Sequence, residues 1–70
     1  MKISARNILK GTVKKITPGS VNSEVVLVTT CGEEIVSIIT KESVENLKLE
    51  VGKPVYAIVK ASNVMIGIDE

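Results

Sequence analysis

Two polar clusters lie near the two ends of the chain, Ser4-Ala5-Arg6-Asn7 and Lys60-Ala61-Ser62-Asn63. Between them Ser4, Arg6, Lys60 and Ser62 offer two hydroxyls, a guanidinium and an ammonium, and every one of these groups can donate a hydrogen bond. A tetrahedral dianion needs such a set, with many donors, positive charge and no competing acceptor. Arginine supplies a planar fork, lysine a compact charge and serine a rotatable O–H. Backbone N–H groups at loop ends complete a shell of this kind as a nest. The plain alternative makes Arg6 and Lys60 solvated surface charges and the serines turn residues, and composition alone favours it. The oxyanion reading requires that folding or assembly bring the two clusters together, and a meeting across a subunit boundary is expected.

Other chemistries lack their parts. The chain has no histidine, so there is no His-based metal site and no His general base to activate a Ser or Cys. Cys31 is the single cysteine, which excludes an intrachain disulfide. With no second Cys or His beside it, Cys31 reads as a loop thiol and not as a metal ligand. The carboxylates Glu33, Glu34, Glu42, Glu45, Glu50, Asp69 and Glu70 fall in turns, a helix and the tail, as solubilising charges do. No catalytic residue and no bare-cation site is assigned, and no enzyme is expected.

The elements that must position the clusters follow from composition and period. Of the 70 residues, 44% are hydrophobic, yet Tyr56 is the single aromatic. The core is therefore Val, Ile and Leu, which suits strands. A chain this small buries only about 60% of its unfolded surface, so surplus apolar surface is expected to be covered between subunits. Ile8–Ile16 reads as a first strand, with Gly11 marking a bulge or a close backbone approach. Thr17-Pro18-Gly19-Ser20 is a turn. Val21–Thr30 is a second strand whose run Val25-Val26-Leu27-Val28 implies cover on both faces. Cys31-Gly32-Glu33 is a tight hairpin and Glu34–Thr40 a third strand. The period then changes, and Lys41–Leu47 reads as a short helix with Thr40 as N-cap and Glu42 in its first turn. Val55–Lys60 and the alternating Val64–Ile68 complete a set of five strands. The fold class is all-β, a small OB-like five-stranded antiparallel barrel with one short helix between strands 3 and 4. Residues 1–70 form one domain.

The net charge of +1 supplies no field to draw the chain onto nucleic acid or membrane. No apolar run approaches the ~20 residues of a membrane span, and the N-terminus has no signal-peptide core. With one free thiol, the cytoplasm is the expected compartment.

Ser4-Ala5-Arg6-Asn7, Leu9-Lys10-Gly11, Gly19-Ser20-Val21-Asn22-Ser23-Glu24-Val25, Ser37-Ile38-Ile39-Thr40 and Lys60-Ala61-Ser62-Asn63-Val64-Met65 together resemble the molbindins. These are small bacterial molybdate-binding proteins whose unit also occurs in molybdate-responsive regulators and transport ATPases. The opening Ser-Ala-Arg-Asn and the closing Lys-Ala-Ser carry the specificity of the match. The resemblance implies an OB-like fold and a hexamer, a trimer of dimers, with oxyanion pockets between subunits. It implies a molybdate or tungstate ligand, no cofactor, and a pocket of Ser4, Arg6, Thr40, Lys60, Ala61 and Ser62, some of them from a neighbour. Lys60 would supply charge, Ser4, Thr40 and Ser62 hydroxyls, and Arg6 and Ala61 main-chain N–H groups. The Arg6 guanidinium either faces the anion or pairs with a carboxylate. A second pocket type of the family points to Gly19-Ser20-Val21-Asn22, which reads equally well as an ordinary hairpin turn. Asn63 stands where family members often carry Asp, removing a negative charge near the site.

The expected function is non-enzymatic molybdate or tungstate binding at subunit interfaces. A single domain opening on Met1 is expected to stand alone, which favours intracellular storage and homeostasis over transport or transcriptional control. The rival is an OB-fold module that binds nucleic acid or a protein partner, and one tyrosine offers little of the stacking surface that nucleic-acid binding requires.

Overall fold

The computed structural model describes residues Met1–Glu70. Four strands, β1 (Asn7–Pro18), β2 (Asn22–Thr29), β3 (Glu34–Thr40) and β4 (Pro54–Val59), form one antiparallel sheet in the order β3-β2-β1-β4. A short helix α1 (Lys41–Asn46) joins β3 to β4, and a 3-10 turn (Ala61–Asn63) follows β4.

The long strand β1 organises the sheet. Its first half, Asn7–Thr12, pairs with β4, and from Gly11 onward it pairs with β2. Gly11 sits at the handover and is buried. A Cβ there would stand 2.5 Å from the Val28 carbonyl oxygen, so the sequence expectation of a close backbone approach is met at this glycine. The bulge is three residues further on, where the register shifts between Val13 and Lys15. The extra residue, Lys14, forms an ion pair with Glu34 on β3. A bulge bends its strand and raises local twist, which curls this small sheet.

The Val25-Val26-Leu27 run is buried although neighbouring side chains on a strand point to opposite faces. The curl of the sheet and the packing of α1 against β2 and β3 provide cover within one chain. The β2–β3 hairpin closes through the Gly32 N–H on the Thr29 carbonyl at 2.9 Å and the Thr29 N–H on the Glu33 carbonyl at 2.8 Å. Gly32 adopts φ +89°, the left-handed geometry that ends a three-residue hairpin loop. Cys31 is exposed at this tip. Helix α1 begins as expected, with the Thr40 hydroxyl accepting the Ser43 N–H at 3.0 Å and Glu42 in the first turn. At its other end the Lys53 ammonium donates to the Leu47 and Lys48 carbonyls.

The fifth strand expected over Val64–Ile68 does not form. The chain turns at Ala61–Asn63 and then runs on without a ladder partner, leaving Met65, Ile66 and Ile68 at 92%, 88% and 85% exposure. Alternation specifies which side chains would share a face. It cannot supply the neighbouring strand whose N–H and C=O groups a ladder needs.

The buried set is small: Gly11, Val13, Ser23, Val25, Val26, Leu27 and Ala57. Accessible surface is 5757 Å², against about 4,200 Å² expected for a folded monomer of this mass. The radius of gyration is 13.0 Å, where about 11 Å is usual for this length. The chain is thus more open than a self-sufficient domain of its size.

Candidate functional site

The β1–β4 ladder brings the two polar clusters together. It pairs Ile8 with Ile58 and Asn7 with Val59. Continued past the strand ends, the same register sets Arg6 opposite Lys60 and Ser4 opposite Ser62. All four lie just outside the strands, at the bends of Ser4 and Arg6 and at the hinge and 3-10 turn that follow β4, so the ladder fixes the ends from which they project. The groups so gathered line one open concavity of about 580 Å³ together with Ile3, Ala5, Ile58 and Ala61.

The electrostatics of this concavity are one-sided. The chain's ion pair is Lys14–Glu34, and neither Arg6 nor Lys60 has a carboxylate within salt-bridge distance. Within one protomer, therefore, the Arg6 guanidinium is not paired with an acid. No Asp or Glu lines the concavity, so its charged side chains are two cations. Lys60 is the hinge between β4 and the 3-10 turn, at φ −63° and ψ 132°. In that turn the Asn63 N–H bonds to the Lys60 carbonyl at 2.9 Å and the Val64 N–H to the Ala61 carbonyl at 3.3 Å. Ala61 and Ser62 are its first residues, and the first N–H groups of a helical turn have no acceptor inside it. Main-chain donors thus accompany the side-chain ones.

The concavity is open to solvent, and its volume of about 580 Å³ is that of a groove. A single tetrahedral anion occupies a minor part of it, and one chain alone makes an open groove and not a closed cage.

Thr40 lies elsewhere. It pairs with Asn22 at the end of β2 where β1 finishes at Pro18, whereas Ser4 and Lys60 flank the start of β1. On the order of 35 Å of strand separates the two ends. The Thr40 hydroxyl donates to Ser43 Oγ at 2.8 Å while it caps α1. The structure groups it with the second candidate segment, Gly19-Ser20-Val21-Asn22, which is a turn tied to the helix start by the Lys41 N–H on the Val21 carbonyl at 2.8 Å. Sequence reasoning about donors passed over Ile3 and Ile58. The signal for Ile58 was present, since it stands two residues before Lys60 on a strand and so faces the same way.

Residues 3–66 match the TOBE domain family model. A probable molybdenum-pterin-binding protein of Haemophilus influenzae is 49% identical over 69 residues, covering 99% of this chain and 100% of that one. The structure of a molybdate-binding protein from Sporomusa ovata superposes with a TM-score of 0.91 at 43% identity, covering 97% of this chain and all of the other. The cytoplasmic molybdate-binding protein ModG, solved with molybdate bound, gives 0.94 at 51% identity, and this chain spans 49% of its length.

Proposed function

Because the chain belongs to the TOBE-domain family, as a molbindin, we propose that it binds molybdate without catalysing a reaction, in the concavity between Arg6 and Lys60. The observation that carries this reading is that two unpaired cations, two serine hydroxyls and the opening of a 3-10 turn converge on one groove that has no carboxylate. Molybdate near neutral pH is a fully deprotonated dianion and can accept from every one of these donors. Tungstate has the same charge and nearly the same size, and it fits equally well. Monohydrogen phosphate would bring an O–H that meets no acidic acceptor, at a cost of about 1–3 kcal/mol.

The groove is completed by further copies of the chain. The excess accessible surface, the exposed Val64–Ile68 segment and the unpaired edges of β3 and β4 support assembly, and a hexamer built as a trimer of dimers is the arrangement we favour. In it a neighbour's Thr40 can reach the Lys60 groove, which its own protomer's Thr40 cannot. The Gly19–Asn22 turn, close to Thr40, is the second oxyanion position of the assembly. The role is intracellular storage and homeostasis of the oxyanion, in the cytoplasm.

A pterin ligand, which the name of the Haemophilus influenzae relative suggests, fits the groove less well. A fused aromatic ring system wants a stacking platform, and Tyr56 does not line this concavity. The same lack argues against nucleic-acid binding.

Isothermal titration with molybdate, sulfate and phosphate, on protein whose oligomeric mass is measured in the same buffer, tests the reading. Tight molybdate binding by a hexamer with little sulfate or phosphate heat is expected. Absence of molybdate heat from a monomer or dimer would overturn it.

A further inference from the structure

We propose that Ile58 and Ile3 are the size-selective wall of the oxyanion site, with Ile58 as the principal discriminator between molybdate and the smaller sulfate. The inference rests on the molybdate reading above.

Both side chains line the concavity that holds Arg6, Lys60 and Ser62. Ile58 is fixed by the β4 ladder opposite Ile8 and is 42% exposed, while Ile3 precedes every strand and is 47% exposed. A β-branched side chain in a ladder has little freedom at χ1, so Ile58 presents a stiff surface with neither donor nor acceptor. Charge and protonation state do not separate the two dianions, since each accepts the same kinds of N–H and O–H bonds. Their hydration differs. The smaller ion holds its water more tightly, since the solvation energy of a charge falls as its radius grows, and losing water without replacement is costly. Against the isoleucines no replacement is offered. Sulfate therefore loses more than molybdate on entering, and the larger anion also gains more dispersion contact with the methyl groups. The donors select charge and protonation state, and the apolar wall selects size.

The test is competition titration of molybdate against sulfate on the full chain and on three variants, Ile58→Thr, Ile3→Ala and Lys60→Ala. Ile58→Thr keeps β-branching for the strand but replaces the ethyl arm with a hydroxyl. Ile58→Thr removes apolar contact and offers a hydroxyl in its place, so the sulfate-to-molybdate Kd ratio is expected to fall several-fold in this variant. A smaller fall in the same direction is expected for Ile3→Ala. Ile3 makes no ladder contact, so its variant decides the matter even if Ile58→Thr disturbs assembly. Equal weakening of both anions, with the ratio unchanged in both isoleucine variants while Lys60→Ala weakens molybdate binding about tenfold or more, would overturn the wall and leave the site standing. Failure of the unsubstituted protein to bind molybdate would instead remove the functional reading, and this inference with it.

Discussion

Lys60 and Lys48 are both exposed lysines, and the sequence alone does not rank them. The ladder does. Lys60 is set opposite Arg6 by the register that pairs Asn7 with Val59, and it lines a groove without carboxylates. Lys48 lies just beyond α1 at φ 52°, away from that groove. Hydrogen bonds to a charged partner contribute about 1.5–3 kcal/mol, so Lys60→Ala should weaken molybdate binding about tenfold or more. Lys48→Ala should change it by no more than about twofold, the usual range for a surface substitution. Titration of both variants checks the difference, and equal effects would take Lys60 out of the site. Thr40 shows the converse. Its identity as an N-cap was legible from the change of period after it, and the structure finds its hydroxyl on Ser43. Thr40→Ala should cost about 1 kcal/mol in cap energy, read by urea unfolding. Where a neighbour's Thr40 completes a site, it should weaken molybdate binding as well.

Among the elements, β1 does most to join sequence to site. Its twelve residues serve two partners, and the transfer from β4 to β2 occurs at Gly11, where the backbones run too close for a side chain. Gly11→Ala is expected to destabilise the chain by about 1–3 kcal/mol, as overpacking does. Because Arg6 directly precedes the half of β1 that pairs with β4, the same variant should also weaken molybdate binding. Thermal unfolding with and without molybdate separates the two effects, and an unchanged Tm would show that the backbones can part at this point without cost. The glycine marked the place, but whether it served a bulge or a close approach could be decided only by the position of Val28. The bulge at Lys14 left no glycine to mark it.

At the scale of the whole molecule one chain leaves much of its surface uncovered. It exposes roughly a third more surface than a monomer of its mass should, and its tail carries apolar side chains in alternation with nothing beside them. A single charge at Ile66, as Ile66→Asp, is expected to lower the oligomeric mass measured by sedimentation. It should weaken molybdate binding in parallel, because a ligand held between copies stabilises the assembly by mass action. Loss of assembly with full molybdate affinity would place the site within one protomer.

Local chemistry and periodicity were enough to set the all-β class, all four strands to within a few residues at their ends, the helix with its cap, and the two donor clusters. These are short-range properties, written in neighbouring residues. The sequence did not determine that Arg6 meets Lys60 within one chain, that Thr40 stands at the far end of the sheet, that Ile58 and Ile3 join the groove, or that Val64–Ile68 stays unpaired. Each of those depends on strand register and on which edges find partners. Register comes from contacts between residues distant in the chain, so only the folded structure could decide it.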